Sequence, residues 1–525
     1  MITIYILLSI LITIFFTLLL RLAPIWRHRY RGVDAYYFLL TAEEFKKQKR
    51  IPIKLPPYYL LDIEEQWYPP GFSVFLGVLP KKFLYRFYWL ISPMLDALNL
   101  TVLLAFTYLQ TFSVECLFLV GIVYALTPIL TSESTTLTSR PLGNLFLTGE
   151  ILCFAFYYQN NSILFLILAV ILGFAIFATH KVSMQFLCFF YVCLAVVLQS
   201  VTPLLILISI FLLSMIVLRG YFFKILKGYY DIIVFWHRNW NYLGAHQVYS
   251  SPIYGKNERP NEDNASPLRK NRFGRALNYL TEIKSSILRK NKAVYFFLIG
   301  LVGKSSNPFI ILLLLSGFRL FKTFTPIEMV IFFWAFFAFV WMILTIFLPY
   351  LRLFGEGFKY MRMTAFPASY IIFLSLISGN IPTFDLVLVF MVFLFSIGRW
   401  FSTYRQLTTA ERTGYLLSED LMEIFEYIKD HEEIDHIACF SANLADPLVY
   451  HCRRHVLWGT HHNSFNTKVV DFFPVLRKPL KWFKEKYGIK YVLVNTSYVK
   501  PQDLMLEEKL IAARSGKYAL YKFSG

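Results

Sequence analysis

Met1-Ile2-Thr3-Ile4-Tyr5-Ile6-Leu7-Leu8-Ser9-Ile10-Leu11-Ile12-Thr13-Ile14-Phe15-Phe16-Thr17-Leu18-Leu19-Leu20 opens the chain. It carries no charge and only scattered hydroxyls, and about twenty such residues in a helix cross the ~30 Å hydrocarbon core of a bilayer. It lacks a basic start and a small-residue cleavage site, so it reads as a retained anchor and not as a signal peptide. The whole composition agrees. Of 525 residues, 57% are hydrophobic, 18% aromatic and 16% charged, whereas a soluble globule carries roughly a quarter charged residues. The class is a polytopic membrane protein, and an ordinary soluble enzyme is excluded.

Further apolar segments fall near 89–110, 115–130, 141–158, 162–179, 183–200, 203–218, 293–318, 326–348, 365–379 and 382–398. With the first, they predict about eleven spans on the ~20-residue criterion. The eighth holds Lys304 and Ser305-Ser306-Asn307-Pro308 and is expected to be broken in the middle. Short connections alternate with long ones. One side receives 21–88, 131–140, the tight hinge 180–181, 219–292, 348–364 and everything after 398. The net charge of +19 suits anionic head groups or a phosphate-bearing lipid. Charge counted alone would put the long loops in the cytoplasm, although that rule is weak for long loops.

All the chemistry-bearing motifs lie on this side. In the first loop, Asp34 follows the basic Arg27, Arg29 and Arg31. Val33, Tyr36, Tyr37, Leu40 and Phe45 have near-helical spacing, which predicts a helix along the membrane plane with Asp34 near its start. The helix dipole would keep that carboxylate ionised and ready to accept a proton from an activated hydroxyl. A solvated surface charge is the plainer reading of a lone Asp. Gln66-Trp67-Tyr68-Pro69-Pro70-Gly71 predicts a rigid aromatic turn near the interface.

The second loop, Thr131 to Asn144, is rich in hydroxyls, with Pro141 suited to the first turn of the next helix and Ser139 to its cap. Glu133 and Arg140 either form a surface ion pair or serve a sugar phosphate, the carboxylate taking a hydroxyl or a divalent ion and the guanidinium gripping phosphate. His180-Lys181 sits at a tight junction between spans. It marks the interface, or it clamps a departing phosphate. Gly355-Glu356-Gly357-Phe358-Lys359-Tyr360-Met361-Arg362 places Lys359 and Arg362 on one helical face, and the two glycines allow a close backbone approach. The middle loop holds Trp236-His237-Arg238 before a Pro- and Asn-rich stretch from 250 to 267 that suits a flap or a linker.

Asp34, the Tyr-Pro-Pro turn, Glu133 with Arg140-Pro141-Leu142-Gly143, and Gly-Glu-Gly-Phe-Lys-Tyr at 355–360 together resemble the GT-C glycosyltransferases. These polytopic enzymes move a sugar from a polyprenyl-phosphate carrier to an acceptor; they include the protein mannosyltransferases, aminoarabinose transferases and oligosaccharyltransferases. The resemblance covers about residues 1–400. It implies a GT-C-like transmembrane domain over 1–400, with extracytoplasmic loops at 21–88 and 219–292. The N-terminus would be cytoplasmic and the motif side outward, against the charge count. It implies transfer of a hexose or pentose to a glycan, lipid or protein, with Asp34 and Glu133 as catalytic residues and Asp34 the general base of an inverting attack. Arg140, His180, Lys181, Glu356, Lys359, Tyr360 and Arg362 would bind the donor and its phosphate, and Tyr68, His237 and Arg238 the acceptor or the loops. Lys359 stands where the family's Gly-Glu-x-x-Arg-Tyr pattern has Arg. Where many members carry two acids, this chain has Ser132-Glu133-Ser134. A divalent Mg or Mn ion, held by Asp34 and Glu133, is therefore not required by the sequence. Membrane lipid is a partner, and nucleic acid is not.

After about residue 400 the composition turns soluble. Asp420 to Lys429 and Pro479 to Tyr487 predict helices, and Ile437 to Phe440, Lys490 to Asn495 and Lys517 to Phe523 predict strands. Residues 401–525 thus form a small α/β domain on the extracytoplasmic side. Cys439 and Cys452 are the pair that could form a disulfide, and the sequence does not assert it. His451, His455, His461 and His462 lack metalloprotease or zinc-finger spacing, so a surface loop or an acceptor contact is preferred to a zinc site. No nucleotide-binding glycine loop occurs. A carrier flippase or transporter is the alternative function, weakened because the ionisable residues crowd one surface and no internal repeat is visible.

Overall fold

The computed structural model describes residues 2–26, 32–52, 58–61, 67–239, 307–355, 357–378, 383–408, 417–459, 469–473 and 476–523. In chain order the helices begin with α1 (Ile2–Leu22), α2 (Val33–Gln48), α3 (Gly71–Val78), α4 (Lys81–Thr111), α5 (Glu115–Ala125) and α6 (Pro128–Ser134). They continue with α7 (Arg140–Asn160), α8 (Ile163–Thr179), α9 (Lys181–Val197), α10 (Thr202–Leu218) and α11 (Gly220–Arg238). Next come α12 (Ile310–Leu320), α13 (Pro326–Phe347), two 3₁₀ segments at Pro349–Phe354 and Gly357–Thr364, α14 (Ala365–Ile377) and α15 (Thr383–Thr408). The last stretch holds α16 (Glu419–Asp430), β1 (Ile437–Phe440), α17 (Ala445–Cys452), α18 (Leu480–Tyr487), β2 (Tyr491–Asn495), β3 (Ile511–Ser515) and β4 (Tyr518–Lys522).

Each predicted apolar segment has a helix in its described part. Among the described residues five helices are long and apolar enough to cross a membrane, or up to seven if each bent pair is one span. The molecule is a polytopic helical membrane protein with a small C-terminal sheet domain. Lys304 lies outside the described residues, and Asn307 donates to Thr364 Oγ1 at 2.7 Å.

The chain divides into two compact units, each drawn from three stretches. The first comprises 1–29, 87–219 and 271–408; the second comprises 30–86, 220–270 and 409–525.

In the first unit, α1 exposes Leu7, Leu8, Leu11 and Phe15 while burying Thr13, Thr17 and Arg21. Those three are four residues apart, so they line one face of the helix. Arg21 Nε donates to Asp96 Oδ2 at 2.7 Å, and Nη1 donates to Ala125 O at 2.7 Å and Thr131 Oγ1 at 2.9 Å. Tyr124 Oη donates to the other Asp96 oxygen at 2.8 Å. A buried pair is tolerated only when its remaining donors and acceptors are satisfied, and these bonds supply that satisfaction across α1, α4, α5 and α6. The α5–α6 pair bends by 63°, and Thr131 in the anchored part of α6 lies two residues from Glu133. A Cβ at Gly121 would stand 1.8 Å from Thr13 Cγ2, so α5 reaches α1 only through glycine. Deeper in the unit, Tyr191 on α9 donates to the buried Glu150 of α7.

In the second unit the strand order is β1-β2-β4-β3, with β1 parallel to β2 and the other pairs antiparallel. Leu421, Ile424, Phe425 and Ile428 make the apolar face of α16 and pack on the sheet with Leu448, Val449, Leu493 and Leu520. Leu40 of α2 belongs to the same core. The segment around 58–61 also joins it, since Val456 N donates to Tyr58 O at 2.7 Å and Leu60 N to Val456 O at 2.8 Å. The expectation of a helix lying on the membrane is corrected here. Helix α2 is buried on every side from Ala35 to Ala42 because it packs against α3 and α17. Cys439 and Cys452 are free thiols, and Cys452 Sγ donates to Phe425 O at 3.3 Å.

Candidate functional site

Glu133 lies in the last turn of α6, and Arg140 opens α7 across a turn built from hydroxyl residues. Ser92 Oγ holds that turn through Thr136 O at 2.7 Å. Arg140 Nη1 then lies 3.2 and 3.1 Å from the two Glu133 oxygens. A second guanidinium arrives from far along the chain: Arg362 Nη1 donates to Glu133 Oε2 at 3.2 Å. The Glu133 side chain is 12% exposed, Arg362 3% and Arg140 32%, so Arg362 is buried while Arg140 reaches solvent.

Gly355 and Gly357 shape the chain that carries Arg362. Gly355 adopts φ 112°, which disfavours side-chain-bearing residues. A Cβ at Gly357 would stand 1.9 Å from Thr345 Oγ1 and 2.7 Å from Met342 Cα, so the 3₁₀ segment seats on α13 only as glycine. The close approach predicted from Gly-Glu-Gly is present at Gly357. Glu356 itself lies outside the described residues.

His180 is buried at the junction of α8 and α9. Its Nδ1 accepts from Ser183 N at 3.1 Å, with Ser183 Oγ at 3.0 Å and Arg362 Nη2 at 3.3 Å. Donors converging on one ring nitrogen leave no room for a proton there, so the ring is neutral with its proton on Nε2. Burial, and after it the charges of Arg362, Arg140 and Lys181, push its pKa well below the usual histidine range. Gly143 makes this contact possible, since a Cβ there would stand 2.4 Å from His180 Cβ.

Lys181 and Lys359 are half-buried and within electrostatic reach of one another, and Lys359 also feels Glu133. The result is one carboxylate among four cationic side chains beside a neutral histidine. Tyr360 is fully buried, and its hydroxyl donates to Phe354 O at 2.8 Å, which ties the preceding turn. Glu133 is a poor divalent-metal ligand as arranged. Both its oxygens are engaged by guanidinium groups, and the surrounding charge repels a cation.

The first unit therefore brings together Glu133, Arg140, His180, Lys181, Lys359 and Arg362. The second unit holds Asp34, Tyr68, His237 and Arg238. Asp34 is half-buried in the first turn of α2, behind Gly32 at φ 92°. Tyr68 accepts on its carbonyl from Tyr221 Oη at 2.9 Å; His237 is half-buried and Arg238 exposed at the end of α11. Ser183 was not singled out from the sequence, and its spacing three residues after His180, as at a helix N-cap, was the available signal.

Neither a comparison with protein-family models nor one with curated protein sequences finds a match. The fold is that of the GT-C membrane glycosyltransferases. Solved structures it resembles include the oligosaccharyltransferase of Archaeoglobus fulgidus in the apo form, with TM-score 0.59 and 12% identity over 96% of this chain and 72% of that one. The archaeal oligosaccharyltransferase AglB from Archaeoglobus fulgidus in complex with an inhibitory peptide and a dolichol-phosphate gives 0.56 and 12%, over 99% and 74%. ArnT from Cupriavidus metallidurans bound to undecaprenyl phosphate gives 0.51 and 11%, over 99% and 97%.

Proposed function

We propose that this protein is an integral membrane glycosyltransferase that moves a sugar from a polyprenyl-phosphate carrier to a glycan, lipid or protein acceptor on the extracytoplasmic face. The observation that carries this reading is the charge surplus around Glu133. Two guanidinium groups hold a single carboxylate, the Lys359 ammonium acts on it as well, and Lys181 lies within electrostatic reach of Lys359, an arrangement that stabilises an added anion of the phosphate class. The likeness in fold to enzymes whose solved structures are complexes with dolichol-phosphate and undecaprenyl phosphate supports the same ligand class.

In the proposed reaction Asp34 accepts the proton of an acceptor hydroxyl as its oxygen attacks the anomeric carbon, and the carbon–phosphate oxygen bond breaks on the opposite face. The configuration inverts. Arg140, Arg362, Lys181 and Lys359 stabilise the charge gathering on the leaving polyprenyl phosphate, and the His180 Nε2–H is a further donor. Glu133 fixes the two guanidinium groups and offers its oxygens to sugar hydroxyls. No step is routed through a metal. Tyr68, His237 and Arg238 are assigned to the acceptor side.

The test is transfer from a panel of radiolabelled polyprenyl-phosphate sugars by the purified protein in liposomes. Transfer that is lost in Asp34→Asn supports the assignment. Labelled carrier that crosses the bilayer unchanged, without transfer, would replace the enzyme by a flippase.

A further inference from the structure

The second unit contains a histidine and carboxylate cluster that the transfer chemistry does not use. Asp435, His436 and His455 each present one ligand atom, and these atoms lie within 4.8 Å of one another. All three side chains are between 25% and 36% exposed, so the cluster opens to solvent on one side. His455 Nδ1 lies 2.7 Å from Asp435 Oδ2, and His455 N donates to Asp435 Oδ1 at 2.6 Å. The carboxylate is thus oriented by backbone, with Oδ2 left to face the rings.

His436 supplies the second observation. It is held at φ 57°, a left-handed conformation that costs a side-chain-bearing residue energy. Its Nδ1 is buried and has no hydrogen-bond partner among the described residues, although it stands 3.3 Å from Asp435 Oδ2. With metal–ligand bonds of about 2.0–2.1 Å at tetrahedral angles, neighbouring ligand atoms sit about 3.3–3.4 Å apart. The His436–Asp435 separation is that edge, with no hydrogen bond to explain it.

We propose that Asp435, His436 and His455 bind a divalent transition-metal ion of the zinc class through two imidazole nitrogens and one carboxylate oxygen, water completing the shell. Binding through His455 Nδ1 requires that nitrogen to be free of its proton, with Nε2 as the protonated one, and the 2.7 Å contact with Asp435 Oδ2 opens to a ligand edge. The ion would be structural. Ile437 N donates to His455 O at 2.8 Å and Leu457 N to Ile437 O at 2.9 Å, while Val456 pairs with Tyr58. The site thus sits where β1, the 455–457 segment and the first-loop residues meet, and an ion there locks that seam.

The test uses the full chain, purified in detergent without a polyhistidine tag and stripped with chelator, then titrated with Co²⁺. Visible d–d absorption of tetrahedral strength, saturating at one ion per chain and abolished by Zn²⁺, is expected. His436→Ala and Asp435→Asn, the latter keeping an acceptor for the His455 backbone, should each weaken binding by at least about tenfold. His451→Ala should leave it unchanged. The proposal is overturned if the stripped protein gives no such absorption, or if both ligand variants, eluting as the parent does in gel filtration, bind as tightly as the parent.

Discussion

Arg362 and Glu133 are 229 positions apart in sequence, yet Nη1 of one lies 3.2 Å from Oε2 of the other. The second arm of the same guanidinium lies 3.3 Å from His180 Nδ1. A planar fork can hold a carboxylate and an imidazole at once, whereas a lysine ammonium offers one point charge. Arg362→Ala should lower the rate of sugar transfer by about 10²–10³-fold, and Arg362→Lys should fall between it and the parent. Initial rates at saturating lipid-linked donor measure this. A loss within about tenfold for the alanine variant would remove Arg362 from the charge-stabilising role.

Gly357→Ala should destabilise the protein, because its Cβ would meet Met342 Cα at 2.7 Å and a backbone atom cannot swing aside. Overpacking of this kind costs about 1–3 kcal/mol or more. Gly398→Ala is the control, since nothing lies within 4 Å of its Cβ and it sits inside α15. Thermal unfolding in detergent should show a lower midpoint for the first variant and an equal or higher one for the second.

Asp96→Ala should leave the Arg21 charge buried without its carboxylate, and it should remove the acceptor of Tyr124. Breaking one side of a buried pair costs about 3–5 kcal/mol. Replacing both partners, as in Arg21→Met with Asp96→Leu, should restore much of that loss. Equal unfolding midpoints for parent and Asp96→Ala would show that the network does not hold α1 to α4.

His451 gives the C-terminal domain a pH-dependent stability. Burial, and then the charges of Arg453 and Lys429, lower its pKa from 6.5 to about 4. Between those values the unfolded chain binds the proton and the folded one does not. The contribution is therefore present above pH 6.5 and is lost as pH falls through about 4. The parent's unfolding midpoint should drop more steeply over that window than that of His451→Gln. Parallel curves would refute the assignment.

Legibility in the sequence followed the range of the interactions. The paired glycines and the Glu133–Arg140 pairing were visible because they act within one or two turns of chain. In the C-terminal domain, the strand at Ile437 to Phe440 is visible as a short apolar run and the helix at 419–430 from its amphipathic spacing. Strand β3 and helix α17 leave little periodicity in the sequence, being only five and eight residues long. The run from Val33 to Phe45 predicts a helix along the membrane, because apolar spacing is the same whether lipid or protein covers it.

The sequence by itself determined that this is a many-span helical membrane protein with a small α/β domain at its C-terminal end, since hydropathy and local periodicity depend only on neighbouring residues. It also supplied the residue types a phosphate-binding cluster needs. Only the tertiary structure decided that Arg362 bridges Glu133 and His180, that Arg21 ties α1 to α4 through Asp96 and to α6 through Thr131, and that Leu40 belongs to the sheet-domain core. Those are meetings of distant segments, fixed by close packing and by the need of each buried charge for a partner, and neither constraint leaves a mark on the local order of residues.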